Sequence, residues 1–284
     1  MTVNPVFEVG AGSTQRNAGA IMNRGVELEL GWQDTVGDFH YSINANFSTN
    51  KNLVTYMNKS NGDRVPGSSF SNFKMTTVFE EGYPVWYLRG FQYAGPTSEG
   101  KAQFYAADGT LTTAPTDSDM TYLGSGLPTY NYGITFRADW KGLDFVLFGT
   151  GAGGNMIMPC VFRTEHPQIN SLKYFYENAD KTLPSIKEMS NNADFWSSDA
   201  NLFKGDYFKI KQIQLGYTLP KSWMQKIFLS SLRIYVSMDD WFTFTKYPGF
   251  DPETVSTGSN SGMGLDKGSY PNSKKLLFGV NIMF

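Results

Sequence analysis

Few residues in this chain have the types and spacing for chemistry. Gly149-Thr150-Gly151-Ala152-Gly153-Gly154 satisfies GxGxxG, the spacing at which glycines let a backbone approach a pyrophosphate. That use needs a helix next and an acidic residue about 20 positions on. Asn155-Met156-Ile157-Met158-Pro159 starts no helix, so the run reads as a flexible turn. The two histidines are His40 and His166. His40 lies in a polar set with Ser42 and Asn44 that offers no metal-ligand partner, and it reads as lining a watered surface. Cys160 is the single cysteine, which excludes an internal disulfide framework and a Cys-based zinc site. Asp117 and Asp119 read as loop solvation. No Ser/His/Asp or paired-carboxylate arrangement can be assembled from spacing. The expectation is therefore no enzyme, no cofactor and no metal.

The balance of 24 basic and 26 acidic residues leaves a formal charge of -2 and no basic footprint for nucleic acid. No stretch approaches the ~18 apolar residues of a membrane-spanning helix. Strands that cross a membrane hide their hydrophobicity by alternation, so a barrel stays open. Aromatics at 15% and 29 glycines suit many strands and turns. Met1-Thr2-Val3-Asn4-Pro5 lacks the basic and apolar regions of a signal peptide. If the protein is exported, the expectation is that the chain is a piece of something longer.

The elements that must position these residues are period-two strands. Leu276, Phe278, Val280, Ile282 and Phe284 alternate with Lys275, Leu277, Gly279, Asn281 and Met283, giving one wholly apolar face. About 9–11 residues let a tilted strand cross a bilayer. Upstream, Val26, Leu28, Leu30 and Trp32 share a face, and Phe39, Tyr41, Ile43, Ala45 and Phe47 alternate with His40, Ser42, Asn44, Asn46 and Ser48. The short link between them makes a hairpin. Tyr132 to Trp140 and Leu143 to Gly151, turning at Lys141-Gly142, form a second hairpin. Ile213, Leu215, Tyr217 and Leu219 oppose Gln212, Gln214, Gly216 and Thr218, and Leu232, Ile234, Val236 and Met238 make a further strand. Pro220 can open a short helix over 221–228. Some eight to ten strands satisfy the alternation test.

Between the strands, short links near 34–37, 141–142 and 220–230 alternate with long ones near 50–72, 95–126, 152–204 and 246–271. Residues 1–23 read as loop, with a helix possible from Ser171 to Asn178. Short links at one end and long loops at the other are an up-and-down barrel pattern. A soluble β-sandwich carbohydrate-binding module is the alternative, and it would bury the faces that a barrel exposes to lipid. Trp32, Trp86, Trp140 and Trp241 lie in or beside strands, where either an interfacial girdle or ordinary packing would use them. Tyr174, Phe175, Tyr176 and Trp196 lie in the long 152–204 link, and Tyr174, Tyr176 and Trp196 are candidates for contact with substrate or a lid protein.

Several motifs resemble the C-terminal part of SusC/RagA-type TonB-dependent transporters. They are Tyr207 to Pro220, ending Gln-Leu-Gly-Tyr-Thr-Leu-Pro; Leu232-Arg233-Ile234-Tyr235-Val236-Ser237; Gly249-Phe250-Asp251-Pro252-Glu253; Gly268-Ser269-Tyr270-Pro271; and Phe278 to Phe284. Asn23 to Leu30 and Lys141-Gly142-Leu143-Asp144 fit the same pattern, in order along nearly the whole chain. The resemblance implies an all-β, antiparallel up-and-down transmembrane barrel with long extracellular loops. Residues 1–284 would be the C-terminal portion of a barrel of about 22 strands, with plug domain and TonB box absent. It implies a bacterial outer-membrane location and uptake of oligosaccharides or peptides. The partners would be a SusD-like lipoprotein, outer-membrane lipid and a TonB complex contacted through the missing N-terminal region. His40, Ser42, Asn44, Asn46, Gln212 and Gln214 would line the lumen, and Phe278, Val280, Ile282 and Phe284 would serve as the assembly signal. The family's calcium-like loop is represented by Ala106-Ala107-Asp108-Gly109-Thr110. Two oxygen ligands there are replaced by alanine, and Ca²⁺ takes about 6–8 oxygens, so no metal is carried over.

Overall fold

The computed structural model describes residues 2–3, 14–15, 19–58, 62–69, 74, 76–160, 172–224, 228–255 and 260–284. Seven long strands form one antiparallel sheet: β1 (Glu27–Val36), β2 (Phe39–Thr49), β3 (Tyr130–Trp140), β4 (Leu143–Gly153), β5 (Tyr207–Thr218), β6 (Ser231–Thr245) and β7 (Lys275–Met283). Each pairs with the next in chain order, so the sheet is a pure meander. Alternation suggested eight to ten strands. Further short strands, Thr76–Glu80 and Ala102–Tyr105 among them, pair in separate small sheets outside this one.

Two tight turns set the register at one end. Val36 pairs with Phe39 across Gly37-Asp38, and Trp140 pairs with Leu143 across Lys141-Gly142. Lys141 and Gly142 both have positive φ, 49° and 88°, which a two-residue type I′ turn requires and which matches strand twist. Past its sheet end, the first hairpin continues as Gly19–Arg24 paired with Lys51–Met57. Part of the expected 1–23 and 50–72 loops is therefore strand, and Arg64–Ser69 adds another piece. Gly25 sits at the break, where a Cβ would collide with the Thr49 carbonyl.

At the other end the long links fold into a packed rim. Its main core joins Leu88, Phe91, Phe104, Phe175, Phe195 and Trp196 with Met158, Cys160 and Leu265. A smaller core gathers Val54, Met57, Phe79 and Val85 under the extended hairpin. The described part of the 152–204 link holds short helices at Lys173–Asn178, Ile186–Ser190 and Ala193–Trp196. Ser185 and Asn192 cap the second and third through their side-chain oxygens, satisfying amides left over at the helix starts. The helix after Pro220 is observed over Lys221–Met224. His166, residue 59 at the centre of the 50–72 link and the start of the Ser171 helix lie outside the described residues.

Candidate functional site: the two faces of the sheet and its rim

Residues directly opposite in an antiparallel pair share a face, so the register assigns every side chain of the meander. Trp32, Ile43, Phe136, Leu147, Ile213 and Met238 form one continuous row across six strands, ending at Leu276 on β7. The row nearer the tight turns runs through Leu143, Tyr217, Ile234 and Val280. This face is apolar and largely uncovered: Trp32 is 63% exposed, Phe278 79% and Val280 57%. Among the described residues no second sheet packs over it, as a β-sandwich would require.

Toward the rim the same face becomes aromatic. Phe47, Tyr130, Tyr132, Phe208 and Phe244 stack in series, with Tyr132 and Phe208 nearly parallel at 7° and 5.9 Å. The GxGxxG run underlies them. Residues 149–153 of it lie on β4 rather than in the flexible turn expected, and only Gly154, at φ 77°, lies past the strand. Side chains on Gly149, Gly151 and Gly153 would collide with Phe208, Tyr132 and Tyr130 respectively. The glycines make room for a belt of rings, with no nucleotide involved. Trp32 and Trp140 also point outward from this face, whereas Trp86 packs against Phe79 in the rim, 5.5 Å between ring centres. Trp86 therefore drops out of any girdle. Trp241 donates its indole N–H to the Lys275 carbonyl, and the Lys274 ammonium sits 5.6 Å over its ring.

The opposite face is polar. His40, Ser42, Asn44 and Asn46 lie on it from β2, with Gln212 and Gln214 from β5, all on the side away from the apolar rows. The His40 ring shares a 2.9 Å hydrogen bond with the Thr35 hydroxyl, from its Nδ1. An open cavity of about 570 Å³ near the tight turns is lined by Thr35, His40, Ser42, Arg137 and Asp139. Beside it Arg233 makes a two-point contact with Asp144, Nε to Oδ2 at 2.8 Å and Nη2 to Oδ1 at 2.5 Å. This pair spans β5 where Gly216 sits, and a side chain on Gly216 would occupy the space of both partners. The Arg233 guanidinium also lies 4.8 Å over the Tyr235 ring, which in turn fills the gap above Gly279.

Sequence reasoning missed the cluster at the rim end of this face. Lys209, 1% exposed, donates to Asp251 Oδ2 at 2.7 Å and Glu253 Oε2 at 2.6 Å. Lys211 bonds Glu253 and Asp240. The signal was present: Lys-Ile-Lys in the Tyr207 motif and Asp-Pro-Glu in the Gly249 motif carry opposite charges. Burial works to raise the Glu253 carboxyl, but hydrogen bonds and charge from Lys209 and Lys211 prevail and hold it below the usual range.

The loop candidates separate. Trp196 is 2% exposed, locked in the rim core, with its indole N–H donated to the Met189 carbonyl at 2.7 Å. It offers no surface to substrate or lid, which corrects the expectation for it. Tyr174 packs edge-on against Phe203 and Phe175 at 4.9 and 5.4 Å, and Tyr176 is 39% exposed. In the calcium-like loop Asp108 accepts from the Thr110 amide and hydroxyl, while Asp119 accepts from the Thr116 and Ala107 amides. Those hydrogen bonds hold both carboxyls below their usual range. Among the described residues no three His, Cys, Asp or Glu gather as a metal set. Cys160 is buried, and that burial pushes its thiol up to about 12, as for a structural cysteine.

No family model matches. The chain is 27% identical over 310 residues to the TonB-dependent receptor P3 of Formosa agariphila, covering 97% of this chain and 30% of that receptor. It is 23% identical over 291 residues to the TonB-dependent receptor SusC of Bacteroides thetaiotaomicron, covering 95% of this chain and 27% of SusC. It superposes on the RagAB peptide importer in its closed-closed state with a TM-score of 0.79 and 25% identity, over 100% of this chain and 32% of that one. The seven-stranded meander is thus part of a barrel of the RagAB type. Along nearly all its length, and about a third of theirs, the chain is homologous to the TonB-dependent receptors, SusC among them.

Proposed function

We propose that this chain is a C-terminal wall segment of a TonB-dependent importer in the bacterial outer membrane, with no catalytic role of its own. The observation that supports this most is the uncovered apolar face opposite a polar one across all seven strands. A soluble sheet with Phe278 at 79% exposure would expose an aggregation-prone surface, whereas lipid solvates it without cost. His40, Ser42, Asn44, Asn46, Gln212 and Gln214 then face the lumen, the rim faces the cell exterior, and the tight turns face the periplasm. Phe278, Val280, Ile282 and Phe284 form the outward row that the assembly machinery reads. Tyr174 and Tyr176 stand at the rim, where substrate or a lid would pass.

The cargo is an oligosaccharide or a peptide, taken up with a SusD-like lipoprotein and powered by TonB through parts of the protein outside this chain. Similarity to a peptide importer and to SusC supports this class. The test is uptake by cells with and without the gene for the intact protein, using panels of labelled oligosaccharides and peptides. Loss of uptake of one panel, reproduced by disrupting TonB, is the expected result. Unchanged uptake of both panels, with the protein in the soluble fraction, would overturn the reading.

A further inference from the structure

Of the segment 246–274, the described residues 246–255 and 260–274 reach the polar face of β5 and β6. Its two arms meet over Lys209. Asp251 and Glu253 come from the outgoing arm, and Asn272 from the returning one donates to Asp251 Oδ2 through its backbone at 3.2 Å and to Glu253 Oε2 through its amide at 2.6 Å. Lys211 on β5 and Asp240 on β6 complete the cluster. Asp240 has φ +59° at a bulge between Ile210 and Gln212, so the ladder is broken where the ions gather.

The same segment is tied into the rim. Tyr247, 5% exposed, donates its hydroxyl to Asp266 at 2.6 Å. Leu265 and Asp266 pair in parallel with Met158 and Pro159, and Leu265 and Met158 both belong to the main rim core. The segment therefore touches the wall at Lys209 and the rim core at Leu265.

We propose that the Lys209–Asp251–Glu253–Lys211 cluster is a latch that fastens the packed rim to the wall, so that the two move as one body and the rim is a fixed seat. Burial decides the strength. Removing one partner of a buried pair leaves an uncompensated charge, and salt screens such a pair poorly. The latch joins Lys209 to partners 42 and 44 positions away and Lys211 to one 42 positions away, so it closes only when both the strands and the segment are in place.

The test is hydrogen exchange on the intact full-length protein in lipid, following peptides over 246–255 and 262–272 against β4. Lys209→Met is expected to raise exchange of both segments roughly a hundredfold, and Glu253→Gln about tenfold, with β4 unchanged. Should Lys209→Met fail to assemble, Glu253→Gln carries the test. Exchange in its 246–255 segment within about twofold of the wild type, or a rise shared equally by β4, would overturn the latch.

Discussion

Gly216 shows how much one residue can decide. Its missing side chain is the space in which Arg233 and Asp144 meet across β5. Gly216→Ala is expected to cost about 1–3 kcal/mol through overpacking, and much less once Arg233→Met has removed the guanidinium. A double-mutant cycle by urea unfolding of the intact protein in lipid checks this, and additive effects would refute the contact. Val280 makes the opposite case. Outward-facing and 57% exposed, it should tolerate apolar changes, while Val280→Arg is expected to cost about 2–4 kcal/mol near the midplane. A titration in lipid showing no loss would mean that this face does not meet hydrocarbon. At this scale the sequence pattern was legible for residues inside strands, because period two assigns each side chain. It failed for Trp196, because burial in a rim core depends on neighbours from three different links.

Elements were legible where local chemistry sets them and opaque where tertiary packing does. The turns at Gly37-Asp38 and Lys141-Gly142 follow from local chemistry, as do the alternating strands. Lys51–Met57 and Gly19–Arg24 were hidden because neither alternates cleanly, and each is a strand only through its pairing with the other. The segment 246–274 was hidden too, since its place depends on ion pairs across 42 or more residues. Its acid response follows from Glu253. The folded carboxyl is held below the usual range, so its contribution to stability is present above the unfolded value of about 4.3 and is lost as pH falls through the lowered folded value. Protection factors for amides 247–255, corrected for intrinsic rates, should therefore hold from neutral pH down to about 5 and fall below about 4. Protection that rises on acidification would contradict the ion pairing.

For the whole molecule, the meander has two edges, β1 and β7, and two unlike faces. Both features make sense together when the sheet is one arc of a closed wall. Open edges invite aggregation, and pairing them with further strands closes the wall. The rim then caps one end of the arc and the tight turns define the other. Fold class and family resemblance were both readable from the motifs at Tyr207–Pro220 and Gly249–Glu253. The substrate was not, because spacing within the long links carries little information.

The most direct test of the two-faced wall uses the intact protein in lipid vesicles, with a fluorophore attached through Val280→Cys or Asn46→Cys. Quenchers carried on lipid tails should dim the probe at 280 and leave 46 bright, and a water-soluble quencher should do the reverse. A probe at 280 that responds only to the water-soluble quencher would contradict the assignment of the apolar face to lipid.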